Sequence, residues 1–104
     1  MIDLKDDNLM GIINTNQKVF VMFAADWCPD CARIKPDIEK LSTYYKNIQF
    51  VYVDADVSPN SRKIIDLTNI PTFLGVFNGV GVETPLIGSK LPKIEEYLHK
   101  LISL

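Results

Sequence analysis

Cys28 and Cys31 are the only thiols in this 104-residue chain, and two residues separate them. That spacing serves two chemistries. In thiol–disulfide exchange one sulfur attacks a disulfide and the other releases the product; in metal ligation both sulfurs hold an ion. A tetrahedral zinc site needs four ligands. The chain adds only one histidine, His99, far away in the sequence, so a metal would have to be shared with a second chain. Exchange is the better reading of the pair, which stands within Trp27-Cys28-Pro29-Asp30-Cys31.

The flanking segments read as devices that present the pair. Before it, Lys18 to Ala24 is an apolar, β-forming run of the kind found in a central strand buried on both faces. After it, Ile34, Ile38, Leu41 and Tyr45 recur at helical spacing. The cysteines therefore sit where a strand's carboxyl end meets a helix's amino end, the usual place for chemistry in open α/β sheets. As cap of that helix, Cys28 is expected to accept hydrogen bonds from the amides of Asp30 and Cys31, with Pro29 at the first helical position. The helix terminus favours a negative sulfur by ~0.3–1 kcal/mol. The carboxylates of Asp26 and Asp30 oppose it, each by about 1 kcal/mol at ~4 Å in water, so the two effects nearly cancel.

Elsewhere, Ile2 to Leu4 reads as a short edge strand, and Asp6 as the cap of a helix carrying Leu9, Ile12 and Ile13. Pro36 predicts a kink in the long helix, which Asn47 closes. Ile48 to Val53 reads as a second buried strand, parallel to the first through the intervening helix. Ser58-Pro59 predicts a short helix with Ile64, Ile65 and Leu67 inward. Phe73 to Phe77 and Val82 to Ile87 flank Asn78-Gly79, a hairpin signal, and Pro85 puts the latter strand at a sheet edge. Gly75 predicts a bulge or close packing. Leu91, Ile94, Leu98 and Leu101 mark a closing helix whose His99 faces solvent. Asp54 and Asp56 are expected to cap and shape a loop. The sum is an α/β fold: a mixed central sheet of four to five strands flanked by four helices, in one domain spanning 1–104.

A net charge of −2 gives no basic face for nucleic acid. No apolar run approaches the ~20 residues of a membrane span, and the acidic start lacks the features of a signal peptide. Cytoplasmic localisation is the expectation, and in a reducing compartment a lone Cys-x-x-Cys is read as catalytic or metal-binding.

Taken together, Trp-Cys-x-x-Cys at 27–31, Pro36, Ile-Pro-Thr at 70–72, Phe-Asn-Gly at 77–79 and Gly88 resemble the thioredoxin family. The Pro-Asp interior is similar to that of thioredoxin-related proteins with Trp-Cys-Pro-Asp-Cys. The resemblance implies a protein-disulfide reductase with no bound cofactor beyond a redox-active Cys28–Cys31 disulfide. It makes Cys28 the attacking thiol and Cys31 the resolving one, and matches Pro71 to the family's cis-proline. The backbone of Ile70 would then be free to pair with an extended substrate, with Trp27 and Gly88 as further contacts. Disulfide-containing proteins are the implied substrates, thioredoxin reductase the electron donor, and a monomer the functional unit. The family's buried aspartate and its lysine, a proton relay for the resolving thiol, align here with Met22 and Tyr52. Asp30 or water is the expected substitute.

Two rivals stay open. One is a disulfide oxidase or isomerase; the other is a binding module that uses the groove of the fold, redox-dependent or redox-silent.

Overall fold

The computed structural model describes all of residues 1–104. Its elements run β1 (Ile2–Asp3), α1 (Leu9–Thr15), β2 (Lys18–Ala24), α2 (Pro29–Tyr44), β3 (Gln49–Asp54), a 3₁₀ turn (Ser61–Ile64), β4 (Thr72–Phe77), β5 (Val80–Ile87) and α3 (Leu91–Ile102). The five strands form one mixed sheet in the order β1-β3-β2-β4-β5, parallel through β1, β3 and β2 and antiparallel from β2 to β5. This is the thioredoxin fold that the motifs predicted, with β2 at its centre.

Alternation along β2 and β3 divides the core in two. Phe20, Met22 and Ala24, with Phe50 and Tyr52, face α2 and α3 and pack with Cys31, Ile34, Ile38, Ile94, Leu98 and Leu101. Val19, Val21 and Phe23, with Val51 and Val53, face the other way and pack with Leu9 and Ile13 of α1. Both faces of β2 are thus covered, which is why its sequence is apolar without interruption. Each fully buried Phe, Leu or Ile here contributes about 1.5–3 kcal/mol.

Asn78 and Gly79 take positive φ of 50° and 82°, the backbone of a tight hairpin turn. The register of β4 against β5 shifts between Phe73 and Gly75. Phe73 opposes Leu86 and Gly75 opposes Val82, so the surplus residues, Pro85 among them, lie on β5. The irregularity expected at Gly75 is therefore carried by its partner strand, and Pro85 lies on the edge strand, as predicted. The close packing expected at Gly75 is not what requires a glycine there: a Cβ would lie 3.6 Å from Leu101 Cβ, an ordinary van der Waals contact.

Three expectations about helices need correction. There are three α-helices, not four, because the segment after Ser58-Pro59 forms only a 3₁₀ turn capped at Asn60, with no side-chain cap. The amides that would open a longer helix are taken from outside: Asp7 accepts from Asn60 N at 3.0 Å and Ser61 N at 2.8 Å. The cap of α1 is Asn8, which accepts from Gly11 N at 3.1 Å; Asp6 accepts from Asn8 N instead. Finally α2 ends at Tyr44, three residues before Asn47.

Candidate active site

Strand β2 delivers the chain to Ala25, and the turn of Asp26 and Trp27 swings it into α2. Cys28 is the N-cap of α2, with extended backbone (φ −79°, ψ 114°), and Pro29 opens the first turn. The Cys31 amide donates to Cys28 Sγ at 3.3 Å. The expected second donor, Asp30 N, makes no such bond.

Both thiols are free. Cys28 is 5% exposed and Cys31 1%. Cys28 is thus reachable over a small area, and Cys31 lies in the core. Burial, then the hydrogen bond to Cys28 and the charges of Cys28 and Asp30, push the Cys31 thiol up to about 12; only the Ala25 backbone pulls the other way.

Trp27 is 68% exposed, the largest apolar surface beside the cysteines. Its indole Nε1 donates to Asp56 Oδ2 at 2.6 Å, which fixes the ring. Asp54, the last residue of β3, accepts from Asp56 N at 2.9 Å, so the two acids do shape a loop, and that loop anchors Trp27. Asp30 is held by Arg33 Nη2 at 3.3 Å, and the same nitrogen reaches Ser89 Oγ at 2.8 Å. Arg33 thus offsets part of the Asp30 charge and links α2 to the loop before α3.

The peptide bond between Ile70 and Pro71 is cis, as the resemblance implied. Pro71 offers no amide, and its carbonyl accepts from Gly88 N at 3.0 Å. The N–H and C=O of Ile70 find no partner within the protein. A cleft of about 200 Å³ lies between Trp27 and Ile70, with Asp56, Arg62 and Asn69 among its lining residues. A second, of about 480 Å³, runs along Ile87, Gly88 and Ser89 to Lys90 and Lys93. The residues read as substrate contacts thus line the two clefts or join them, Pro71 through its bond to Gly88.

Met22 is fully buried and lies opposite Tyr52 in the β2–β3 register. Tyr52 OH donates to Asp26 Oδ1 at 3.2 Å, and Lys35 Nζ stands 3.9 Å from the Tyr52 ring centroid. Sequence reasoning named Tyr52 only as a replacement and did not pair it with Asp26; the two are 26 positions apart. It also missed Arg33, Lys35 and Asp56 as neighbours of the site; Arg33 stands three residues after Asp30 on α2, a spacing that could have signalled the pair, while Lys35 and Asp56 carry no local pattern. His99 is exposed, edge-on to Tyr45 with ring centroids 6.4 Å apart, and takes no part.

Comparison with known proteins agrees with this geometry. The Thioredoxin family model matches residues 1–100. Thioredoxin 1 of Plasmodium falciparum is 35% identical over 86% of this chain and 86% of its own length. Thioredoxin H2 of Arabidopsis thaliana is 33% identical over 86% of this chain and 67% of its own length. A solved structure of the Plasmodium falciparum thioredoxin superposes with a TM-score of 0.87 at 32% identity, covering 96% of this chain and 98% of that one.

Proposed function

Because this chain belongs to the thioredoxin family, and is with it a thiol–disulfide oxidoreductase that reduces protein disulfides, we propose that Cys28 is the attacking thiol and Cys31 the resolving one. The observation that carries this assignment is the cap: the more exposed sulfur, at the positive end of α2, already accepts the Cys31 amide at 3.3 Å. A charge-assisted bond of that kind strengthens as the sulfur becomes a thiolate.

The Cys28 thiolate attacks one sulfur of a substrate disulfide; a Cys28–substrate bond forms and the first substrate thiolate leaves. Cys31 then loses its proton and attacks Cys28. The Cys28–Cys31 bond forms, the second substrate thiolate leaves, and two electrons have passed to the substrate. One helical turn separates the sulfurs, so the second step is intramolecular and gains from proximity.

Ile70 supplies β-type pairing to an extended substrate through its unpartnered N–H and C=O, a mode that recognises backbone rather than sequence. Pro71 keeps a competing donor away from the thiols, and Trp27 and Gly88 flank the bound chain. Asp26, Pro29 and Asp30 set the charge and geometry around Cys28.

No cofactor beyond the two cysteines enters this cycle. The substrates are disulfide-containing proteins, thioredoxin reductase returns the electrons, and the unit is a monomeric single domain with neither nucleic-acid nor membrane partner. We place it in the cytoplasm, where a reducing poise keeps the dithiol available; no helix is long and apolar enough to cross a membrane.

Turnover of a protein disulfide by NADPH and thioredoxin reductase tests the reading. The wild type sustains NADPH oxidation and Cys28→Ser abolishes it; a Cys28→Ser variant as active as wild type would overturn the assignment. Equilibration with glutathione separates reductase from oxidase: a potential near about −270 mV belongs to the former, near about −120 mV to the latter.

A further inference from the structure

The cleft beside Gly88 has a charge opposite to that of the molecule as a whole. The chain carries a net charge of −2, yet this cleft, about 480 Å³ in volume, is lined by Lys90 and Lys93 and by no carboxylate. We infer that the cleft sets substrate preference: it takes an acidic side chain, Asp or Glu, carried by the disulfide-containing segment a few residues from the attacked cysteine.

Its position suits that role. Pro71 O accepts from Gly88 N at 3.0 Å, so the cleft begins beside the residue that follows the free backbone of Ile70. Lys90 comes two residues after Gly88, and Lys93 stands in the first turn of α3. An extended chain advances about 3.3 Å per residue, so a substrate that pairs with Ile70 and continues past Gly88 meets the lysines within a few residues. Leu86 is half-buried and Ile87 exposed, which gives the methylene stem of an acidic side chain an apolar surface to lie on.

The two lysines are also unspent. The ion pairs of the protein go to Arg33, Lys35 and Lys100, and neither Lys90 nor Lys93 forms one. Glu95 and Glu96 of α3 pair with neither lysine, and Glu83 is held by Lys100 at 3.1 Å. Across Ser89, Asp30 is bound by Arg33 at 3.3 Å, and the same Arg33 nitrogen reaches Ser89 Oγ at 2.8 Å. The cleft beside Trp27 differs: it holds the carboxylate of Asp56, and its cation, Arg62, donates to Ala55 O at 3.2 Å. Of the two clefts, only the one at Gly88 offers free positive charge.

Attraction between exposed charges is weakened by salt, and it acts on encounter and on choice of partner rather than on the exchange at the sulfurs. Segments bearing Asp or Glu are captured ahead of neutral ones, against the sign of the net charge, and segments bearing Lys or Arg fall behind. Lys90 and Lys93 are specificity-determining residues; the reacting atoms are the sulfurs of Cys28 and Cys31.

This inference rests on the reading of the chain as a disulfide reductase that attacks through Cys28, and one experiment keeps the two apart. Matched peptides, each with one cysteine joined to a thiol chromophore, carry Glu, Gln or Lys about two to four positions from that cysteine on either flank. Their second-order reaction with the reduced protein is followed at low salt. On one flank, Glu peptides are expected to react about 3- to 10-fold faster than Gln peptides, the range that two exposed ion pairs supply, and Lys peptides more slowly. The preference shrinks towards unity at about 0.5 M salt. Lys90→Gln with Lys93→Gln removes it, and Lys90→Glu with Lys93→Glu turns it towards Lys peptides; Lys90 makes no side-chain cap and both lysines are exposed, so the fold is kept. Lys46→Gln, the same change of charge beyond the far end of α2, leaves the preference intact. Equal rates for Glu, Gln and Lys peptides on both flanks overturn the inference, as does a preference that survives both double variants or falls equally in Lys46→Gln. Wild type that reacts with every peptide no faster than Cys28→Ser overturns the underlying reading and this inference with it.

Discussion

The amide of Cys31 donates to the sulfur of Cys28 at 3.3 Å, so the first sulfur is stabilised by the backbone of the residue that carries the second. The two thiols are consequently unlike. Cys28 sits at the end of the α2 dipole, whereas Cys31, 1% exposed, lies in the core where burial holds its proton. One fold feature, the strand-to-helix turn, creates both environments.

Stability of the reduced protein should decline in alkali because of Cys31. Its folded-state value, about 12, lies above the ordinary value of 9.0, so between the two the native chain holds a proton that the unfolded chain has lost. The contribution is fully present below the unfolded value and is lost as pH rises towards the folded one. Tyr52 and Tyr97 are shifted upward too and act with the same sign. Urea midpoints of reduced wild type and Cys31→Ala, compared from pH 7 to about 10, isolate the thiol: the wild type should lose stability more steeply.

Tyr97→Phe should destabilise the fold by about 1–3 kcal/mol. The Tyr97 hydroxyl accepts from Gly75 N at 2.9 Å and donates to Val82 O at 2.7 Å, bridging β4 and β5 beside their register shift. Removing it strands a buried amide while leaving the cysteines in place. Urea denaturation reads the loss, and disulfide reduction by the folded variant should stay near wild type.

Trp27→Ala should act on substrate rather than on stability. The ring is mostly exposed, so unfolding should change by less than about 0.5 kcal/mol, while KM for a protein disulfide rises several-fold. Steady-state kinetics with thioredoxin reductase give both constants; a fall in kcat at constant KM would point to a role in the chemistry instead.

Restoring the family's acid should be costly here. Met22→Asp buries a carboxyl among apolar neighbours and should cost about 2–5 kcal/mol. Adding Tyr52→Lys across the strand pair should recover part of that loss through ion pairing. A double-mutant cycle in urea measures the coupling.

The central strand and the hairpin were legible because a single local cause fixes each: an unbroken apolar run in Lys18–Ala24, and the positive φ that Asn78 and Gly79 accept. The strand-to-helix turn with Cys28 as cap followed from these and from Pro29. What stayed hidden depends on distant partners. Ser58-Pro59 carries a helix signal, but Asp7 binds the amides of Asn60 and Ser61, and Ser61 Oγ accepts from Leu9 N, so the segment is spent on tertiary contacts. Tyr97 lies three residues from Ile94 and four from Leu101, a spacing that would have placed it in the apolar stripe of α3. The Tyr52–Asp26 bond had no local signal at all, since neither residue's type or spacing points to the other.

The most direct test of the account is the Cys31→Ser variant incubated with protein disulfides and analysed by mass spectrometry of its peptides. The assignment predicts stable mixed disulfides, with every substrate attached through Cys28. No adduct, together with recovery of a non-covalent partner, would contradict it and leave the groove as a binding surface.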